Sequence, residues 1–83
     1  MLPVQLEMAL AAVGWGTRDL AKAASVSLDT IGRFKRGEAV KDRTISAMRT
    51  ALEGAGVEFI PEGPYRGDGG PGARLRHNTQ QQK

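Results

Sequence analysis

The chain has 83 residues, with 12 Lys and Arg against 9 Asp and Glu, one histidine and no cysteine. This length accommodates a single domain, and the lack of cysteine excludes disulfide bridges and cysteine-ligated zinc. The one histidine, His77, lies in a polar tail with no second histidine beside it, so we expect no metal site and no cofactor.

The apolar segments are short. The longest run, Met8 to Val13, is much too short to span a bilayer, and the N-terminus lacks the basic start of a secretory signal. A soluble, cytoplasmic protein without membrane contact is therefore expected.

Positive charge is concentrated in the middle of the chain. Between Arg18 and Arg49 there are eight Lys or Arg and four acidic residues, whereas the first 17 residues carry only Glu7. A basic middle segment suits a polyanionic partner such as nucleic acid, and a solvated charged face is the alternative interpretation.

The first helix is predicted over residues 3–13. Leu6, Ala9, Leu10 and Val13 follow the spacing of one helix face, and a proline suits the first turn. A glycine at position 14 ends the helix, and Trp15 is expected to cover one edge of the core.

Three more helices are predicted. The second covers residues 17–24 and begins at a glycine or threonine cap, and the third is capped by Ser27 and ends near residue 36 before Gly37. After a loop over 38–42, the fourth runs from about 43 to 53 and buries Ile45, Met48 and Leu52.

The composition changes after position 56. Residues 57–60 alternate and favour a strand, whereas residues 61–72 contain five glycines and three prolines and predict a flexible loop. Residues 73–76 are expected to return as a second short strand, giving a long-looped hairpin. The final residues, 77–83, predict a flexible tail.

Several motifs occur together in this arrangement: Gly14-Trp15, Asp19-Leu20-Ala21, Val26-Ser27, Thr30-Ile31 and Arg36-Gly37. With them the chain resembles the Cro/phage-repressor family of helix-turn-helix proteins, also called the xenobiotic-response-element type. Residues 51–63 and 70–76 are similar to the C-terminal extension of short bacterial and phage regulators of this type.

The resemblance implies a mainly α fold. A four-helix, repressor-like helix-turn-helix domain is expected over residues 1–56. One or two short β-strands are expected over 57–76, and the flexible tail over 77–83.

Some positions depart from the family pattern. Gly16 and Thr17 stand where a Ser-Gln pair is common, and Ser25 replaces the usual turn glycine, where serine is strained. Leu10 and Lys35 stand where the family often pairs an arginine with a glutamate, so no single buried charge is left unpaired.

The family's base-reading positions fall on Leu28, Asp29 and Arg33. Arg33 is expected to bond guanine O6 and N7, and Leu28 to pack on a thymine methyl. For Asp29 four roles remain open: accepting from cytosine N4, repelling phosphates so that wrong DNA partners are disfavoured, capping the helix, or orienting Arg33.

The DNA backbone is expected to meet residues near helix N-termini, where N–H groups and the helix dipole favour phosphate. These residues are Thr17, Arg18, Ser27, Thr30, Arg36, Lys41 and Arg43. Arg36 is alternatively expected to bond helix carbonyls. For Lys35 a phosphate contact, a bond to helix carbonyls and simple solvation are all open.

A homodimer is expected to form through the C-terminal segment. Val57, Phe59 and Leu75 are too apolar for a free tail, and strands from two subunits would pair across a two-fold axis. The alternative is that the segment folds back over helices 1 and 4 of its own chain.

The leading function is a sequence-specific DNA-binding repressor that acts as a homodimer on an inverted repeat, with its own operon as a candidate target. The alternative is an antitoxin or adaptor whose C-terminal segment binds a protein partner. An enzyme is not expected, because the sequence has no nucleophile–base arrangement, phosphate loop or metal cluster.

Overall fold

The computed structural model describes the backbone of residues 1–61, 63–65 and 67–76, and the side chains of 1–61 and 69–76. Four helices come first: α1 (Pro3–Val13), α2 (Thr17–Ala24), α3 (Leu28–Lys35) and α4 (Asp42–Gly54). Four short strands follow: β1 (Val57–Ile60), β2 (Gly63–Tyr65), β3 (Gly67–Gly69) and β4 (Gly72–Leu75). The fold is mainly α, with four helices followed by β-strands, as predicted, but the strands form two antiparallel pairs where one hairpin was expected. The predicted tail, 77–83, lies outside the described residues.

The ends of the helices follow local capping chemistry. Gly14 and Gly37 adopt left-handed conformations, with φ of 73° and 82°, at the ends of α1 and α3. Asp19 Oδ2 accepts a hydrogen bond of 2.8 Å from the Gly16 N–H, and Gly16 is the N-cap of α2. The four predicted helices are confirmed, with bounds that differ by at most one residue: α3 ends at Lys35, and α4 runs from Asp42, which we had assigned to the preceding loop, to Gly54.

The connection between α2 and α3 turns at Ser25. Its φ of 57° makes it the one non-glycine residue with positive φ in the described part of the chain. The next N–H, of Val26, returns to the Ala21 carbonyl at 3.1 Å. Serine therefore occupies a left-handed position that favours glycine, at some conformational cost.

Strands β1 and β4 form an antiparallel pair. Val57 lies opposite Leu75 and Phe59 opposite Ala73, so these four side chains share one face of the pair, on which Val57, Phe59 and Ala73 pack in or against the core. On the other face Arg74 Nε donates to Glu58 Oε1 at 3.3 Å. The predicted second strand is thus confirmed one residue earlier than expected.

The predicted flexible loop at 61–72 needs correction. Its backbone forms a second antiparallel pair, in which β2 and β3 align Gly63 with Gly69 and Tyr65 with Gly67. Glycine and proline hide this pairing in the sequence, because they break the apolar–polar alternation that identifies a strand.

The core draws on all four helices and on β1. Its buried apolar residues are Leu6, Ala9, Leu10, Leu20, Ile31, Phe34, Met48, Leu52, Val57 and Phe59. Trp15 packs half-buried against this cluster, as predicted. Across the described residues, no helix is both long and apolar enough to cross a membrane.

Gln5 is the one buried polar residue of this core among the described residues, at 5% exposure. Its Nε2 donates to the carbonyls of Ile60, at 3.1 Å, and Gly72, at 3.0 Å. Its Oε1 accepts from the Leu2 N–H at 2.8 Å, which satisfies a free donor at the start of α1. This Gln5 bridge joins α1 to both strands of the β1–β4 pair.

We predict that Gln5→Leu lowers the free energy of unfolding by about 1–3 kcal/mol, because two strand carbonyls and one helix N–H lose their partner. Urea denaturation followed by circular dichroism measures the change. Met8→Leu, an apolar replacement on the exposed side of α1, is the control and is expected to change stability by less than about 0.5 kcal/mol. A urea midpoint of Gln5→Leu equal to that of the wild type would contradict the stabilising role of the Gln5 bridge.

A second stability prediction concerns the turn before α3. Ser25→Gly should raise the free energy of unfolding by about 0.5–1 kcal/mol, because glycine adopts φ near 57° without a Cβ clash. Ser25→Val should lower it, since β-branching makes the left-handed conformation worse. Thermal unfolding of the two variants beside the wild type is the measurement, and the opposite ranking would show that the turn is unstrained.

Candidate nucleic-acid interface

The N-terminus of α3 is formed by Ser27. Its Oγ accepts from the Thr30 N–H at 3.1 Å and donates to Thr30 Oγ1 at 2.9 Å. The predicted cap is therefore confirmed, and both hydroxyls are engaged with each other. Ser27 is exposed and Thr30 half-buried, so a phosphate approaching this end would meet the Ser27 side first.

The predicted base-reading residues share the exposed side of α3. Leu28, Asp29 and Arg33 are exposed, whereas Ile31 and Phe34 point into the core. Leu28 is one of four large apolar side chains that are exposed in the described residues, at 43%. The helix thus separates an apolar inner face from an outer face of mixed chemistry.

Arg33 and Arg36 both approach Glu38, a residue that the sequence did not single out. Arg36 Nε donates to Glu38 Oε2 at 2.9 Å, and Arg33 Nε lies 3.7 Å from Glu38 Oε1. Arg33 Nη2 also donates to the Ala39 carbonyl at 3.2 Å. The side chain of Arg33 is therefore turned toward the loop after α3.

The contact between Arg36 and Glu38 shifts the pKa of both side chains. Its hydrogen bond, and then the attraction of opposite charges, lowers the pKa of Glu38 below its ordinary value and raises the pKa of Arg36. Asp29 adds a smaller attraction that also raises the pKa of Arg36. All of these groups are exposed, so the shifts describe local attraction rather than a contribution to stability.

An open cleft lies between α3 and the start of α4. It is lined by Thr30, Arg33, Ala39, Val40, Lys41 and Thr44. Lys41 precedes α4 and contributes no side-chain cap, so the first N–H groups of this helix have no side-chain acceptor from the cap residue. Lys41, a predicted phosphate contact, is exposed in this cleft, and Arg43, another, is exposed on the first turn of α4.

A second groove separates α2 from the start of α3. Its lining includes Arg18 and Lys22 from α2, together with Ser27 and Leu28. Arg18, predicted to meet phosphate, therefore lies on the same groove as the first base-reading position. Cationic side chains border the outer face of α3 on both sides.

Thr17 and Lys35 are bonded to each other. Lys35 Nζ donates to Thr17 Oγ1 at 2.9 Å and lies 3.8 Å from Glu7 Oε2. Lys35 therefore ties the end of α3 to α2 and α1, and it is not simply solvated. Thr17 is half-buried and its hydroxyl accepts this bond, and the phosphate contact predicted for its O–H stays a prediction.

The predicted dimer residues also need correction. Val57 and Phe59 are buried in the core of their own chain, at 0% and 8% exposure, and Leu75 is half-buried on the same face. The segment packs on α1 and α4, as the alternative interpretation had it. The exposed apolar side chains of α1 and its cap are Leu2, Val4 and Met8.

The described residues contain no group of three or more His, Asp or Glu that could hold a metal ion. Comparison with known proteins adds no assignment, because no family model matches the chain and no curated protein matches it significantly.

Proposed function

We propose that this protein is a sequence-specific DNA-binding transcriptional regulator, a repressor in which α2 and α3 act as a helix-turn-helix. The observation that carries the proposal is the outer face of α3, which presents Leu28, Asp29 and Arg33 between two cationic borders. A single helix of eight residues fits the major groove of B-DNA, and its N-terminal half would carry the contacts to base edges.

The cationic side chains on both sides of α3 would attract DNA in a way that does not depend on its base sequence. Arg18 and Lys22 lie on the α2 side, and Lys41 and Arg43 on the α4 side. Phosphate contacts of this kind fix the position and register of a protein on the duplex, while base contacts provide the discrimination. The predicted contacts of Ser27 and Arg36 belong to the same surface, with Thr30 contributing to the cap.

The three base-reading roles differ in chemistry. Arg33 would leave the loop after α3 and bond the O6 and N7 atoms of guanine. Leu28 offers an apolar surface to a thymine methyl. Asp29 attracts Arg36 and raises its pKa, and its carboxylate would accept from cytosine N4 where it reaches a base edge.

We further propose that two copies act together on an inverted repeat, because one short helix reaches too few bases for selective binding. Val57 and Phe59 belong to the core, so removing the C-terminal segment would unfold the monomer rather than report on the dimer. The oligomeric state is therefore measured on the full chain.

Selection of bound sequences from random double-stranded DNA tests the function. We expect an enriched inverted repeat whose half-sites are about one helical turn, roughly 34 Å, apart. Sedimentation with the selected DNA should give two chains per duplex. Recovery of unenriched DNA would reject sequence-specific binding, and co-purification of a protein partner that replaces DNA would favour the antitoxin or adaptor role.

Arg33→Ala and Lys41→Ala form a contrasting pair, since both remove one cation from the same cleft. Arg33→Ala is expected to weaken the free energy of binding to the selected site by about 1–3 kcal/mol and to reduce discrimination at one guanine. Lys41→Ala should weaken binding to every sequence alike and make the slope of log affinity against log salt shallower by about one unit. Binding assays on single-base variants across a salt series measure both effects, and identical profiles for the two variants would contradict the assignment.

A further inference from the structure

The placement of Glu38 follows from the end of α3. Gly37 turns the backbone into the left-handed region, and the Glu38 N–H then returns to the Arg33 carbonyl at 2.9 Å. This closure brings the Glu38 side chain back over the last turn of the helix. Its two carboxylate oxygens consequently face the guanidinium groups of two different arginines.

The two arginines are the cations of α3 that the proposed function assigns to DNA. A carboxylate resembles a phosphate in geometry and charge, and arginine bonds both in the same way. Glu38 remains half-exposed, and exposed ion pairs are individually weak. A ligand with several contacts can therefore displace it.

Resting on the proposed function, we propose that Glu38 is a specificity-determining residue that competes with DNA for Arg33 and Arg36. On random DNA, Arg33 would lose its contacts with Glu38 and the Ala39 carbonyl and would gain at most one phosphate contact. The net gain in binding free energy would therefore be small. On the selected site it would gain the two hydrogen bonds to guanine, which compensate for the loss. Glu38 therefore lowers binding to random DNA more than binding to the selected site, and it widens the ratio of the two affinities.

The test compares Glu38→Gln with the wild type in the full chain, using fluorescence anisotropy on random-sequence duplexes and on the selected site. Glutamine keeps the shape and removes the charge. We expect affinity for random DNA to rise about threefold to fivefold, the range that loss of exposed ion pairs allows. We expect a smaller rise on the selected site, so the specificity ratio falls.

Glu53→Gln is the matched control. Glu53 pairs with Arg49 Nε at 2.9 Å on the last turn of α4, so this variant makes the same change in net charge and breaks the same kind of contact. We expect it to change both affinities equally. An equal rise in Glu38→Gln and Glu53→Gln would show a general charge effect and would overturn the proposal.

Two further outcomes separate this inference from the proposed function. A wild type that binds the selected site, with an unchanged specificity ratio in Glu38→Gln, overturns the role of Glu38 alone. A wild type without affinity for any duplex overturns both. Glu38→Ala provides a second variant with the same expected direction, and circular dichroism of each variant confirms that the helices are intact.

Discussion

The buried amide of Gln5 determines how the C-terminal strands lie on the helices. Apolar packing is non-directional, so an apolar helix and a two-stranded pair can slide over each other at little cost. Hydrogen bonds have a narrow geometry, and the Gln5 bridge reaches carbonyls in both β1 and β4. It therefore fixes the position of the pair along α1. In that position Val57 and Phe59 are buried in the core.

The orientation of α3 depends on a second set of ties. Ile31 and Phe34 hold its inner face in the core, and Lys35 holds its last turn against Thr17 on α2 and Glu7 on α1. The lysine on α3 and the glutamate on α1 lie 3.8 Å apart, one turn from Leu10. The contacts of Lys35 orient α3 more than they stabilise the fold, because Lys35 and Glu7 are partly exposed.

The features that could be predicted from the sequence depend on residues that are close together along the chain. The helix ends at Gly14 and Gly37, the Ser27 cap and the left-handed Ser25 all rest on residues within a few positions of each other. The exposed side of α3 follows from helical spacing, which places Leu28 and Arg33 away from Ile31. These features needed no knowledge of the tertiary structure.

The errors concern contacts between distant residues or between side chains and turns. Phe59 was assigned to a dimer because sequence spacing cannot show that the helices leave room for it in the core. Gln5 lies beside the apolar stripe of α1, and only its distant carbonyl partners explain why a polar side chain is buried there. Glu38 had a local indication, since it follows Gly37 and two arginines, but its contacts depend on the backbone closing over α3.

The Gln5 bridge also bears on how the protein assembles during synthesis. Gln5 is separated by 55 residues from Ile60 and by 67 from Gly72, whereas α2 and α3 meet across a three-residue turn. Short loops close at a lower entropic cost than long ones, so the contacts between α2 and α3 are available first. On the ribosome, Gln5 has neither of its strand acceptors until β1 and then β4 emerge. Throughout that interval α1 lacks the strands that cover it, so the nascent chain exposes apolar surface that the folded protein buries.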